Sequence, residues 1–213
     1  DREVESAIRS FLKKKFPEHG ILGEEYGAQN TNSEYVWVID PIDGTKSFVT
    51  GKPLFGTLIS LCKKGTPIVG IIDQPILKER WVGATNHPTK FNGKTVTTRS
   101  CPNISDAWLY ATSPNMFKNQ KRKAFNRLAN NVKFSLFGAD CYAYGLLASG
   151  FTDIVCEADM EPYDYCAHVP IIEGAGGKIT DWKGESLTMY SGRTVLATGD
   201  VGLHQTAISI LSK

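Results

Sequence analysis

The chain has 213 residues, of which 41% are hydrophobic and 22% charged, a composition typical of a globular protein with a sizeable core. The net charge of +2 gives no indication of a polyanionic partner. The lysine-rich segments at 13–15 and 118–123 have no interleaved aromatic residues, so we interpret them as solvated helix faces. No apolar run reaches the roughly 18 residues that a membrane helix needs. We therefore expect neither nucleic acid nor a membrane as a partner.

Five cysteines are spread along the chain without a CxxC pair or a zinc-binding spacing. An odd number at such distances predicts free, mostly buried thiols and a soluble protein of a reducing compartment, the cytoplasm or a plastid stroma. The sequence starts at Asp1 without a methionine or a targeting pattern, so we expect a processed or trimmed form in which no transit peptide is visible.

In the first half of the chain, residues 1–15 carry apolar side chains at helical spacing, and Pro17 and Gly20 end this helix. The β-branched and aromatic segment YVWVID, at 35–40, predicts a strand. Three further strands are predicted, and the turn segments KKGTP and QPILKE between them make an antiparallel meander. These three strands cover 57–62, 68–73 and 80–84.

The second half alternates between helices and strands without a strict βαβ rhythm, which predicts an α/β protein of the mixed α+β type. The predicted helices cover 120–130, 140–149, 163–174 and 202–211. The predicted strands cover 132–136, 152–156, 178–180 and 194–198. A loop at 101–105 marks a soft boundary, so we expect a single unit, 1–213, with sub-lobes at about 1–103 and 104–213.

Two aspartates, Asp40 and Asp43, end the apolar strand in the segment WVIDPIDGT. Pro41 fixes the backbone as it leaves the sheet edge, and the two carboxylates then converge at a turn. Close carboxylates repel unless one is protonated or a cation lies between them. The alternatives for such a segment are a helix that Asp43 caps, an ordinary turn or a calcium loop.

Further acids favour a cation. Glu24 follows the apolar pair at 21–22, which predicts another strand end, and Asp164 begins a predicted helix. Because these ligands are all oxygens, they indicate Mg²⁺ or Mn²⁺ rather than zinc. His168 lies one helical turn beyond Asp164 and could face the same way, although a packed or surface histidine is the alternative.

The residues after the aspartates are suited to an anion. Gly44 and Thr45 lie where a turn becomes a helix, so that backbone N–H groups would point at a phosphate, and Lys46 adds a positive charge. A metal-bound phosphate beside a helix N-terminus is the plan of a phosphomonoesterase.

Three segments in this order resemble the motifs of the magnesium-dependent, lithium-sensitive inositol monophosphatase superfamily: GEE, WVIDPIDGTKSF and PYDYCAHVPIIEGAGG. The resemblance covers nearly the whole chain. The segment from DGTKSFVTG to RWVGAT is similar to the histidinol-phosphate phosphatases of this type. The resemblance implies a layered αβαβα fold, two to three Mg²⁺ ions per site, a homodimer, and further N-terminal helices that precede the position of Asp1.

The resemblance also implies roles for individual residues. Glu24 would bind metal and help to position the attacking water, which the Thr45 hydroxyl would orient, while Asp43 would bridge metals. Tyr163 stands before Asp164 where the family usually has tryptophan. Asp1 would pair with Thr45 and border a third metal. The implied metal ligands are Glu24, Asp40, the Ile42 carbonyl, Asp43, Asp164 and Asp1.

By the same resemblance, Glu157 and the turn of Gly138, Ala139 and Asp140 would contact the part of the substrate remote from the phosphate. Histidinol phosphate carries an ammonium group and an imidazole, which an acidic wall suits. The alternatives are a surface acid for Glu157 and a helix N-cap for Asp140.

We therefore predict hydrolysis of L-histidinol phosphate to L-histidinol. The alternatives are an inositol monophosphatase, another sugar or nucleotide phosphatase of the superfamily, or a non-catalytic metal-binding regulator. The last would be marked by a missing ligand, and none of the expected ligands is missing from the sequence.

Overall fold

A computed structural model describes all 213 residues of the chain. The helices are α1 (Arg2–Lys15), α2 (Thr45–Val49), α3 (Asn119–Ala129), α4 (Tyr142–Ala148), α5 (Pro162–Tyr165), α6 (His168–Gly174) and α7 (Val201–Leu211). The strands are β1 (Gly20–Gly23), β2 (Gly27–Gln29), β3 (Tyr35–Asp43), β4 (Gly56–Lys63), β5 (Thr66–Gln74), β6 (Glu79–Ala84), β7 (His87–Phe91), β8 (Lys94–Thr95), β9 (Trp108–Ala111), β10 (Phe134–Phe137), β11 (Ile154–Ala158), β12 (Lys178–Thr180) and β13 (Thr194–Thr198).

The strands form two sheets. The eight-stranded sheet has the order β2-β1-β3-β4-β5-β6-β7-β8, and the five-stranded sheet has the order β10-β9-β11-β13-β12. In the first sheet β1 and β3 are parallel and the other pairs are antiparallel. The predicted meander is confirmed as β4, β5 and β6. The second sheet is mixed, since β9 is parallel to β10 and β11 while β13 is antiparallel to its neighbours.

Three clusters of buried apolar side chains lie between the layers and pack them together. The largest joins the eight-stranded sheet, helices α4 and α6, and the inner face of the five-stranded sheet. A second joins the outer face of that sheet to α3 and α7, and a third joins α1 to β1 and β3. Successive side chains of strand β11 point to opposite faces of the five-stranded sheet: Val155 belongs to the first cluster, whereas Ile154 and Cys156 belong to the second. The order α1, sheet, α4 with α6, sheet, α3 with α7 is the expected αβαβα layering.

Helix α6 approaches the eight-stranded sheet unusually closely. An added Cβ would lie 1.9 Å from the Ala167 carbonyl oxygen at Gly70 and 2.5 Å from the Ile171 Cα at Gly83. The two glycines, on β5 and β6, therefore let the helix backbone lie directly on the sheet. This contact brings the segment before α6, which carries Asp164, towards the end of β3.

The structure differs from the predicted elements in one helix and in four unpredicted strands, β2, β7, β8 and β9. The helix predicted at 163–174 is broken into α5 and α6 at residues 166–167, because Pro170 has no N–H to donate to the Cys166 carbonyl. Strand β9 was not predicted; its four residues, WLYA, are all apolar or aromatic, so the sequence shows no polar–apolar alternation, although Leu109 and Ala111 are buried and Trp108 and Tyr110 are not. All five cysteines are buried and free, as predicted. None of the helices has both the length and the apolar character needed to cross a bilayer.

Candidate active site

A β-bulge brings Asp40 and Asp43 to the same side of the sheet. Residues three apart on a regular strand point to opposite faces. Here Asp40 pairs with Leu58 and Asp43 pairs with Gly56, so three steps on β3 correspond to two on β4. The extra residue lies at 41–42, where Pro41 has no N–H to contribute to the ladder. The bulge therefore lets both carboxylates face one cleft.

Glu24 reaches the same cleft from the neighbouring strand. Strands β1 and β3 are parallel, with Gly23 paired to Ile39, so Glu24 and Asp40 follow the same level of the sheet. The Glu24 N–H donates to the Ile39 carbonyl at 3.2 Å, which anchors the residue to β3. Side chains at the carboxyl ends of adjacent parallel strands meet in this way at one edge.

Asp164 arrives from the other half of the chain. It is the third residue of α5, and its carboxylate accepts the Glu161 N–H at 2.7 Å in a capping box. Carboxylate oxygens of Asp40, Asp43 and Asp164 all lie within 4.8 Å of one another. The structure thus gathers acids 124 positions apart, from Asp40 to Asp164, into one cluster.

No basic side chain neutralises this cluster. Asp40 is 2% exposed, and none of the ion pairs in the structure involves Asp40, Asp43 or Asp164. Burial, reinforced by the neighbouring carboxylates, raises the pKa of Asp40 to about 11 and that of Asp164 to about 7. Burial and the charge of Asp164 likewise hold the pKa of Asp43 well above its ordinary value.

A divalent cation fits these residues. It would allow all the carboxylates to ionise together, and an all-oxygen donor set is the one that Mg²⁺ prefers. The alternative in which Asp43 caps a helix is wrong, because the N-cap of α2 is Gly44 and no side chain caps it. The Asp43 carboxylate instead accepts the Cys141 N–H at 2.6 Å.

The turn after Asp43 has the backbone that the sequence predicted. Gly44 adopts a left-handed conformation with a φ of 82°, and α2 begins at Thr45. The Thr45 hydroxyl donates to the Ile42 carbonyl at 3.2 Å. Asp140 packs against Gly44, and its carboxylate accepts the Ser47 hydroxyl at 2.6 Å. Asp140 therefore lies against the turn at Gly44 that precedes α2. It does not cap α4, whose N-cap is Cys141.

Glu157, on β11, forms part of the cleft wall and is 2% exposed, so it is not a surface acid. One of its oxygens accepts the Thr112 N–H at 2.8 Å and the Thr112 hydroxyl, and the other accepts the Tyr144 hydroxyl at 2.9 Å. A carboxylate has about four acceptor positions, so one position remains for a ligand. Burial raises the pKa of Glu157, and these hydrogen bonds oppose that rise.

His168 packs within the same wall. It is 1% exposed, and its ring stacks on Tyr144 with centroids 3.8 Å apart. Burial lowers its pKa to about 3, so the imidazole is neutral. The predicted alternative of a packed histidine is therefore the correct one.

These elements enclose a cleft of about 390 Å³. Its lining includes ten of the predicted site residues: Glu24, Asp40, Ile42, Asp43, Gly44, Thr45, Lys46, Asp140, Glu157 and Asp164. Gly138, Ala139 and Asp1 are not in the lining. The Gly138 carbonyl accepts a hydrogen bond from Lys52, and Ala139 is buried.

The expected pairing of Asp1 with Thr45 is not formed in this structure. The single hydroxyl proton of Thr45 is directed to the Ile42 carbonyl, and the Oδ1 atom of Asp1 is buried without a hydrogen-bond partner.

Several residues in the lining were not predicted. They are Thr112, Ser113, Asn115, Met116, Cys141, Tyr144, Ala158, Asp159, Met160 and His168. The segment TSPN at 112–115 is a turn signal that follows β9, and it could have marked a loop at a strand end. Tyr144 had no such signal, because an aromatic residue in a helix of this kind is usually core.

Comparison with known proteins agrees with this geometry. The model of the inositol monophosphatase family matches residues 1–213. The chain belongs to the inositol monophosphatase family. A chloroplastic bifunctional phosphatase IMPL2 of Arabidopsis thaliana is 52% identical over 220 residues, which cover 99% of this chain and 64% of that relative's length. A histidinol-phosphatase of Mycobacterium tuberculosis is 31% identical over 86% of this chain and 73% of its own length.

Solved structures of family members share the fold. An inositol monophosphatase from Zymomonas mobilis superposes with a TM-score of 0.95 at 44% identity, over all of this chain and 83% of that one. The structure of an inositol monophosphatase from Anabaena gives a TM-score of 0.89 at 27% identity, over all of this chain and 85% of that one. Family membership and the layered αβαβα fold are therefore established for this chain.

Proposed function

We propose that the chain is a Mg²⁺-dependent phosphomonoesterase that hydrolyses L-histidinol phosphate to L-histidinol and phosphate. The observation that carries the proposal is that one cleft holds both the acidic cluster of buried Asp40 with half-buried Asp43 and Asp164, and a further buried acid, Glu157. The first would hold the phosphate through metal, and the second would meet a cationic tail.

Glu24, Asp40, Asp43, Asp164 and the Ile42 carbonyl would hold the Mg²⁺ ions. When bound, the metal would polarise the phosphate ester and lower the pKa of water. Mn²⁺ satisfies the same oxygen ligands. Asp1, outside the cleft lining, offers a buried carboxylate oxygen that has no partner in the protein.

The chain's own residues supply the positioning. Thr45 would orient the attacking water through its hydroxyl, whose position the Ile42 carbonyl fixes. Glu24 faces the same space from β1 and would accept a hydrogen bond from that water. Lys46 is the single lysine or arginine in the cleft lining, and with the N–H groups of Gly44 and Thr45 it would bind the phosphate oxygens.

Charge favours a cationic substrate tail. Of the two acids on and directly after β11 that line the cleft, Asp159 is already paired with Lys121 at 2.9 Å, whereas Glu157 has only neutral hydrogen-bond donors. An ammonium group in its free acceptor position would satisfy and neutralise the buried carboxylate. Relatives described as histidinol-phosphatases, from Chlorobaculum parvum, Mycobacterium tuberculosis and Streptomyces coelicolor, support the same substrate.

Inositol monophosphate is the second candidate. The 44% identical structure from Zymomonas mobilis is described as an inositol monophosphatase, and the free acceptor of Glu157 could equally take a hydroxyl group. This substrate would leave the buried charge of Glu157 uncompensated, which is why we rank it second.

The chloroplastic relative supports a plastid location, and the homodimer stays a prediction.

The proposal is tested by incubating the protein with L-histidinol phosphate and Mg²⁺ and measuring both phosphate and L-histidinol. Equal amounts of the two products are expected, with no release in excess EDTA. Release that continues undiminished in EDTA would refute the metal-dependent mechanism, and an absence of L-histidinol with Mg²⁺ present would refute the substrate.

A further inference from the structure

Glu5, on the first helix, is buried directly beneath the turn that carries Glu24. The side chain is 0% exposed. One carboxylate oxygen accepts the Glu25 N–H at 2.8 Å, and the other accepts the Tyr26 N–H at 3.2 Å. Residues 24–26 form the turn between β1 and β2, so this carboxylate satisfies two of its backbone donors.

Arg9 completes the attachment from the next turn of α1. Its Nε donates to the Glu5 carboxylate at 2.7 Å, and its terminal nitrogen donates to the Gly27 carbonyl. Both side chains are nearly buried, which makes this ion pair less exposed to screening than a surface pair. Helix α1 therefore holds the first residue of β2 as well as the turn before it.

Gly23 leaves the space that the carboxylate fills. A Cβ built at Gly23 would lie 2.1 Å from one oxygen of Glu5 and 2.8 Å from the other. Only glycine lets the carboxylate lie this close to the backbone, which gives a physical reason for the glycine before the two glutamates.

We propose that Glu5 is a positioning residue that sets the Glu24 carboxylate for metal binding. Glu24 is fixed on one side by its N–H bond to Ile39 and on the other by the bonds from Glu5 to the next two residues. Without the hydrogen bonds from the Glu25 and Tyr26 N–H groups to Glu5, the turn can relax away from β3 while β1 remains paired. The inference rests on the proposed role of Glu24 as a metal ligand.

Glu5→Gln tests the proposal. Both carboxylate oxygens accept from N–H groups, so the amide of glutamine must place its NH₂ against a donor and release one side of the turn. The matched control is Glu3→Gln, which removes an exposed acid from the first turn of the same helix. Binding of Mn²⁺ is measured by the loss of the free Mn²⁺ electron paramagnetic resonance signal, without substrate.

We expect Glu5→Gln to weaken Mn²⁺ binding by roughly ten- to a hundredfold, the range typical of residues that orient metal ligands, with no change for Glu3→Gln. Glu24→Gln should also weaken binding, and the double variant with Glu5→Gln should be no worse than Glu24→Gln alone. Additive losses would show that Glu5 acts independently of Glu24 and would overturn the proposal.

Unchanged Mn²⁺ binding in a folded Glu5→Gln protein would also overturn it. If that variant does not fold, Glu5→Asp, which keeps the charge beside Arg9, is measured in the same way. If neither variant folds, Glu5 is a residue of the fold and the proposal fails. If Glu24→Gln itself binds Mn²⁺ normally, the proposed function of Glu24 fails, which is a separate result.

Discussion

Glu157→Gln removes one charge from the lining of the cleft while keeping the shape of the side chain. The structure dictates how the glutamine would lie. The oxygen that accepts two hydrogen bonds from Thr112 must stay an oxygen, so the new NH₂ group would point to Tyr144. The Tyr144 hydroxyl can rotate and accept, so the wall keeps its hydrogen bonds.

The position left for a ligand would then change from an acceptor to a donor. An ammonium group loses a charge-assisted hydrogen bond, which contributes about 1.5 to 3 kcal/mol. At about 1.4 kcal/mol per tenfold, the kcat/KM for histidinol phosphate should fall roughly ten- to a hundredfold. A hydroxyl group can accept from the new NH₂, so the value for inositol 1-phosphate should fall much less.

The assay is phosphate release at saturating Mg²⁺ with each of the two substrates. Asp159→Asn is the matched control, because this acid also lines the cleft but is paired with Lys121. The control should leave the ratio of kcat/KM for histidinol phosphate to kcat/KM for inositol 1-phosphate unchanged. Equal losses on both substrates in Glu157→Gln would mean that Glu157 serves the metal site or the fold, and no loss on either would refute its contact with substrate.

Three other outcomes are expected. Asp43→Asn should nearly abolish activity while leaving the circular dichroism spectrum intact, and a normal rate at low Mg²⁺ would contradict its role as a ligand. Thr45→Ala should lower kcat by about two to four decades with little effect on KM, as a lost water-orienting group does; a raised KM with unchanged kcat would contradict this. In EDTA the protein should lose stability between pH 7 and 8.5, because native Asp40, with a pKa of about 11, keeps a proton that the unfolded state has released. The proton on Asp40 contributes a fall of about 1.4 kcal/mol per pH unit in the free energy of unfolding, measured by denaturant titration. The slope should be smaller by this amount in Asp40→Asn, and an equal slope in both proteins would exclude this cause.

Much of the fold was predictable because its signals are local. The meander follows from strand composition and turn residues, and helices α1 and α7 follow from apolar spacing and their end signals. The break between α5 and α6 was missed although Pro170, in the interior of the predicted helix 163–174, is a local signal for it. Strand β9 was missed because its four residues, WLYA, are all apolar or aromatic and give no polar–apolar alternation in the sequence.

The site was predictable in its ligand types but not in its contacts. The acids of the motifs could be named from sequence, yet the bulge that aligns Asp40 with Asp43 is invisible to periodicity. The bond from Ser47 to Asp140 spans 93 positions, so no local pattern contains it. Glu5 looked like an ordinary acid in the first turn of a helix, and only the packing of α1 shows which backbone donors it meets.

The most direct test of the account is a comparison of kcat/KM for phosphate release from three esters in one preparation with Mg²⁺. The esters are L-histidinol phosphate, inositol 1-phosphate and 3′-phosphoadenosine phosphate. The account predicts the highest value for histidinol phosphate and no turnover of any ester in EDTA. A higher value for either of the other two esters would contradict the assignment of substrate to this cleft.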